Sequence, residues 1–316
     1  MMSHTKEGLE SLADYSQLAI PAGYAGMRLD AVLAKLFPEH SRSRLQHWLR
    51  EGLIRVDGAL ADPKRKVLGG ETVTCAAAPA PSFADAAEDI PLSILYEDES
   101  LIVIDKPAGL VVHPGNGNER GTLMNALLHH APQLAQVPRA GIVHRLDKDT
   151  SGLMVVAKNL AAQTGLVRAL AAREVKRHYL ALVLGTLTAD GVIDAPIGRH
   201  PTQRIKMAVV KSGGKAARTH YFVRERFARC TLLECRLETG RTHQIRVHLA
   251  SIGHPLVGDP VYGRKKSGDA RLDAFPRQAL HAFRLALVHP ELGSEMQWES
   301  SLPADFTALL ESLRAG

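Results

Sequence analysis

The sequence predicts an α+β protein of two domains: a small α/β unit, then a larger one built on a largely antiparallel mixed sheet. Three observations carry this. The 316 residues exceed the roughly 250–300 at which a single core stops growing. Ala76–Asp89 is rich in Ala and Pro and reads as a linker. Beyond it, short apolar strands recur with few helices between them, and several pairs are joined by short turns, as antiparallel pairing requires.

The elements follow in order. Residues 1–17 are polar and unpatterned, a loose tail. The small unit spans 18–75. Its first helix is Arg28–Phe37, apolar at helical spacing and stopped by Pro38. Ser41–Arg50 is a second helix, opened by a capping serine. Leu53–Gly58 is a strand running into an Asp-Gly turn, and another strand lies within Val67–Thr74. The large unit, 90–316, opens with strands at Ile94–Tyr96 and Leu101–Asp105. Thr122–His130, Asn159–Ala172, Thr242–Ser251 and Ala304–Leu313 read as helices. Leu153–Ala157, His178–Leu184, Ile205–Val210, Ala217–Arg226 and Thr231–Glu238 read as strands.

Composition removes several function classes. Hydrophobic residues at 45% and charged residues at 23% are a globular balance. No apolar run approaches the ~20 residues of a membrane span. The N-terminus lacks the basic-then-apolar order of a signal peptide, so a cytoplasmic protein with no membrane partner is expected. Three cysteines make no disulfide framework and no zinc motif. His243 and His248 lack metal-helix spacing, and no phosphate-binding or dinucleotide loop is present, so neither metal nor cofactor is expected. The formal charge is +6. Eight basic residues lie between Arg199 and Arg226, among them Arg204 and Lys206, with only Glu225 between them. Such a stripe suits a phosphate backbone, or is a solvated strand face without a partner.

The densest polar cluster is Gly141-Ile142-Val143-His144-Arg145-Leu146-Asp147-Lys148-Asp149-Thr150-Ser151-Gly152, a loop between apolar strands. A carboxylate beside a guanidinium offers a nucleophile or a base. The same residue types also make a turn in which aspartate bonds local amides. The residues alone leave both readings open.

The cluster resembles the signature of the RluA-type pseudouridine synthases. The resemblance continues through His113-Pro114-Gly115, Arg177-His178-Tyr179, Gly240–His248 and His254–Gly263, and so covers the whole large unit. The small unit, with Arg42 and Arg44 on its second helix, resembles an RNA-binding domain first known from a small-subunit ribosomal protein. The resemblance implies a cofactor-independent RNA isomerase acting alone as a monomer, with 23S ribosomal RNA of the large subunit as its partner. It implies a catalytic role for Asp147, either attacking the sugar or removing a ribose proton. Tyr179 would stack on uracil and help remove the last proton. Arg241 is the implied partner of Asp147, with Arg246 as second choice. Arg145 would fill the space left by the flipped nucleotide. His144, Arg246, Arg42, Arg44, Arg204 and Lys206 complete the expected RNA contacts. Two competing classes are a noncatalytic RNA-binding or ribosome-assembly factor and a glycosidase-like hydrolase. The latter needs two carboxylates in one pocket.

Overall fold

In the computed structural model the described residues are 16–37, 42–75, 86–115, 118–203, 206–263 and 266–316. The chain divides into two units, residues 1–82 and 83–316. In the first, β1 (Ser16–Ala19), α1 (Leu29–Leu36), α2 (Arg42–Arg50), β2 (Ile54–Val56) and β3 (Thr72–Cys75) follow in order. The strands form an antiparallel sheet in the order β1-β3-β2. Leu29, Val32 and Leu33 of α1 and Leu45, Trp48 and Leu49 of α2 bury their faces against Ile54, Val56 and Val73. The expected loose tail ends earlier than residue 17, because Ser16–Ala19 finds a partner in Thr72–Cys75.

Asp30 is fully buried in this unit. Arg28, Arg42 and Gln46 all donate to its carboxylate, Arg42 at 2.6 Å and Gln46 at 2.6 Å. Burial opposes the charge, but these donors outweigh it and hold the carboxyl far below its ordinary range. Arg42 thus has a structural task joining α2 to α1, while about half of its side chain remains exposed. The side chain of Arg44 lies outside the described part of the molecule.

The second unit contains β4 (Ile94–Glu97), β5 (Leu101–Lys106), α3 (Leu123–His130), β6 (Ser151–Ala157), α4 (Leu160–Ala171) and β7 (Lys176–Leu184). Then come β8 (Gly191–Asp194), β9 (Ile197–Arg199), β10 (Met207–Val209), β11 (Arg218–Arg226) and β12 (Cys230–Leu237). The chain closes with α5 (Gln244–Ser251), α6 (Ala270–Asp273), β13 (Leu280–Val288), β14 (Glu295–Glu299) and α7 (Ala304–Arg314). Nine strands form one sheet in the order β4-β5-β6-β13-β7-β12-β11-β8, with β14 beside β13. Only the β6–β13 pair is parallel; the other pairings in this sheet are antiparallel. The expected α+β class with a mixed, largely antiparallel sheet is therefore what the chain forms.

Both faces of the sheet are covered. One packs Ile102, Met154, Tyr179, Leu233 and Ala282 against α3 and α5. The other packs Leu153 and Leu285 against α4, and Leu182 and Leu232 against α6 and α7. All seven residues of β6 are consequently buried. Strands β13 and β14 were not expected from the sequence. β13, buried along most of its length, has no clean alternating pattern to reveal it. The last residues of the expected linker are held in place. Asn125 donates to the Ala86 carbonyl at 2.7 Å and accepts the Glu88 amide at 3.0 Å, which ties residues 86–89 to α3.

Candidate active site

The cluster of residues 141–152 folds as a loop entering β6, and several tethers fix it. The Asp147 carbonyl accepts the Thr150 amide at 3.1 Å, so the loop does contain a turn. The Lys148 carbonyl accepts the Gly109 amide at 2.9 Å and the buried Lys106 ammonium at 2.9 Å. Arg277 donates to the Asp149 carbonyl at 3.1 Å. Gly152, at φ +112°, lies against β13: a Cβ there would stand 2.3 Å from the Ala282 carbonyl oxygen. A side chain at 152 would force the loop off the sheet, so the glycine sets the loop's entry into β6.

The turn reading of Asp147 holds, and the turn leaves its carboxylate facing a pocket. Its backbone closes the turn, and its carboxylate lines a pocket of about 380 Å³. Arg145, two residues earlier, lines the same pocket and is exposed. Tyr179 reaches the pocket from β7, with 5% of its surface exposed. Burial raises the pKa of its phenol, so the hydroxyl stays protonated and suits relaying a proton more than holding a resident negative charge.

The arginine on Asp147 is Arg246, not Arg241. Arg246 Nη1 donates to Asp147 Oδ2 at 3.0 Å. Its Nε and Nη2 form a two-pronged pair with Asp259, at 2.7 and 2.9 Å. Arg241 instead donates from Nε to the Ala216 carbonyl at 3.0 Å on the exposed side. The physical reason is helix position. Arg246 lies within α5, where its side chain is sheltered, whereas Arg241 precedes the helix in the turn ordered by Gln244. Burial works against the Arg246 charge, but the two carboxylates win and raise its pKa. Asp259 is held below its usual range by Arg246 and by the Val261 and Tyr262 amides, again against the cost of burial.

His243, left-handed at φ 56°, brings Nε2 to 3.8 Å from Asp147 Oδ1. Its Nδ1 lies 2.9 Å from the Tyr262 hydroxyl, which accepts the Met207 amide at 2.9 Å. Tyr262 therefore has its own proton to give to His243 Nδ1, which would leave the Nε2 proton facing Asp147. The same link ties the start of β10, through Tyr262, to His243.

His144 has a structural task within the loop. Its Nε2 accepts the Val155 amide at 3.1 Å, so the ring is neutral with its proton on Nδ1. Burial, with help from Arg177, pushes its pKa down to about 3. The basic stripe is also less free than its sequence implies. Arg218 pairs with Asp194, and Arg224 with Glu234, from neighbouring strands. Arg226 donates to the Leu187 and Thr188 carbonyls. Lys206 is half-buried; Arg204 lies outside the described residues. No group of three or more metal-ligating side chains occurs among the described residues.

Sequence reasoning gave no role to Asp259, Tyr262 or Lys106. The first two stand in the His254–Gly263 block of the resemblance, but only the fold brings them to α5. A lysine ending an apolar strand is the one local sign of Lys106.

Residues 100–251 match the family model described as RNA pseudouridylate synthase, and residues 27–73 match that of the S4 domain. The Ribosomal large subunit pseudouridine synthase D of Nitrosomonas europaea is 62% identical over 302 residues, covering 94% of this chain and 88% of the relative. The protein of that name from Pseudomonas aeruginosa is 56% identical over 303 residues, covering 93% and 94%. Among solved structures, Human RNA Pseudouridylate Synthase Domain Containing 4 aligns with a TM-score of 0.56 at 28% identity, covering 70% of this chain and 93% of its own. Human RNA Pseudouridylate Synthase Domain Containing 1 aligns at 0.53 and 28%, covering 76% and 98%.

Proposed function

The chain belongs to the RNA pseudouridylate synthases, and from that premise we propose that it converts uridine to pseudouridine in large-subunit ribosomal RNA with Asp147 as the catalytic carboxylate. The observation that carries the catalytic assignment is the Asp147–Arg246–Asp259 array. One buried guanidinium spends three of its N–H groups on two carboxylates, one locked and one facing the pocket. Asp259 fixes Arg246, and Arg246 aims the Asp147 carboxylate.

The reaction breaks the bond from uracil N1 to ribose C1′, turns the base, and joins C5 to C1′. The proton on C5 is lost and N1 gains one, so no electrons enter or leave. The pocket-facing Asp147 carboxylate serves either route, attack on C1′ or removal of the ribose 2′ proton. Tyr179 offers an apolar ring face for the base and a hydroxyl that can pass a proton onward. Arg145 stands at the mouth, where a side chain can fill the stack left by a flipped nucleotide. The likeness of residues 27–73 to the S4 domain supports binding RNA beyond the reacting base.

The test uses ribosomal RNA from cells lacking this gene, labelled with tritium at uracil C5. The full chain should release the label and leave the RNA unbroken, with pseudouridine mapping to discrete large-subunit positions. Intact label, or conversion confined to another RNA class, would refute the reading.

A further inference from the structure

The array above accounts for Arg246 but leaves Arg177, in the same pocket, without a task. Arg177 sits on β7 two residues before Tyr179, on the same side of the strand. It is only 7% exposed. Its Nε is buried with no hydrogen-bond partner, and among the described residues no carboxylate or carbonyl bonds to any part of its guanidinium. The other two buried arginines among the described residues are treated differently. Arg246 is held by Asp259 and Asp147, and Arg277 by Asp305 with two bonds.

A guanidinium cannot shed its proton to escape burial, and a buried charge without a counter-charge is costly to keep. No described carboxylate bonds to it as a counter-ion, and of its nitrogens only Nε is both buried and unbonded. His144, its pocket neighbour, is neutral, and so is His113, whose pKa is pushed down to about 4 chiefly by burial and further by Arg145 and Arg139. Both also leave a buried ring nitrogen unbonded, Nδ1 in His144 and Nε2 in His113. Gly240 makes room for the side chain: a Cβ there would stand 2.6 Å from Arg177 Nη1. The pocket therefore holds a prepared positive charge and unused polar atoms next to the tyrosine assigned to the base.

We propose that Arg177 is a substrate-binding residue whose counter-ion is a phosphate flanking the target uridine. This rests on the synthase reading given above. The choice of phosphate follows from charge. Uracil in RNA is neutral, whereas each flanking linkage carries a full negative charge in oxygens that a guanidinium grips in pairs. A neighbour two strand positions from the ring that holds the base lies within reach of the same nucleotide's linkage.

The test measures affinity of the full chain for three versions of one ribosomal hairpin. One is unaltered; the others carry a single neutral methylphosphonate just 5′ or just 3′ of the converted uridine. Wild type should bind one neutral version about tenfold or more weaker, the size expected for a hydrogen bond to a charged group. R177M should bind the unaltered hairpin weaker by a similar factor and treat all three alike. R177K, which keeps charge without the two-pronged grip, should retain part of the discrimination. Wild type indifferent to both neutral linkages overturns the proposal without reference to any variant. So does an R177M or R177K protein as sensitive to the neutral linkage as wild type. Turnover of the unaltered hairpin by wild type is scored in parallel. Its absence counts against the synthase reading, whereas the binding comparison judges Arg177 by itself.

Discussion

Replacing Arg246 and Arg241 separately by lysine sets the geometry of the site against the resemblance that pointed to Arg241. Arg246 makes three charge-assisted bonds, two to Asp259 and one to Asp147. A lysine ammonium is one compact donor centre and cannot reproduce a two-pronged pair while reaching a second carboxylate. R246K therefore forfeits at least two such bonds, at about 1.5–3 kcal/mol each. If that loss falls on the orientation of Asp147 in the transition state, the rate drops about 10²–10⁴-fold. R241K forfeits one exposed bond to the Ala216 carbonyl, worth about 0.5–1.5 kcal/mol, so its loss stays within about tenfold. The assay is single-turnover tritium release at saturating enzyme, with thermal melting to confirm that both variants fold. An R241K defect equal to or larger than that of R246K would refute the assignment of Arg246 as the partner of Asp147.

Three further expectations follow from individual residues. His144 binds its proton less readily in the folded chain than in the unfolded one, so stability is complete above about pH 6.5 and is lost as pH falls toward the depressed value of about 3. Urea unfolding of H144Q should show a shallower loss between pH 6.5 and 4.5, by up to about 1.4 kcal/mol per pH unit; an unchanged slope would show that His144 is not the titrating group. R145A should slow conversion of a uridine in a structured stem-loop about tenfold more than one in an unstructured oligonucleotide, because flipping costs a few kcal/mol only in the former. Equal losses in single-turnover rates would mean that Arg145 supports the loop and not the vacated stack. Replacing Lys206 and Lys211 together by glutamine should lower the slope of log affinity against log salt by roughly 1.4–1.8; no change would remove β9–β10 and its connections from the phosphate path.

Much of this was legible in the chain because local chemistry decided it. Thr122 caps α3, and Asn159 caps α4, each by accepting a backbone amide, and both helices start where the sequence places them. The Asp147 loop announced itself by packing six polar residues between apolar strands. What stayed hidden depends on contacts distant in sequence. Strand β13 crosses the middle of the sheet and is buried along most of its length, so its period is lost. Arg246 and Arg241 are alike as residues, and only the start of α5 decides which is sheltered. Asp259 joins the site across a loop and a helix. The basic stripe looked unopposed because its carboxylate partners, Asp194, Glu234 and Glu238, come from other strands or their ends.

The central claim is that the pocket-facing carboxylate of Asp147 does the chemistry while the rest of the protein holds the RNA. Asp147→Asn keeps the side chain's size and removes its charge. Paired measurements of pseudouridine formation and RNA affinity on this variant test the claim most directly. The account predicts no detectable pseudouridine together with affinity within a few-fold of wild type. Turnover within tenfold of wild type would contradict it.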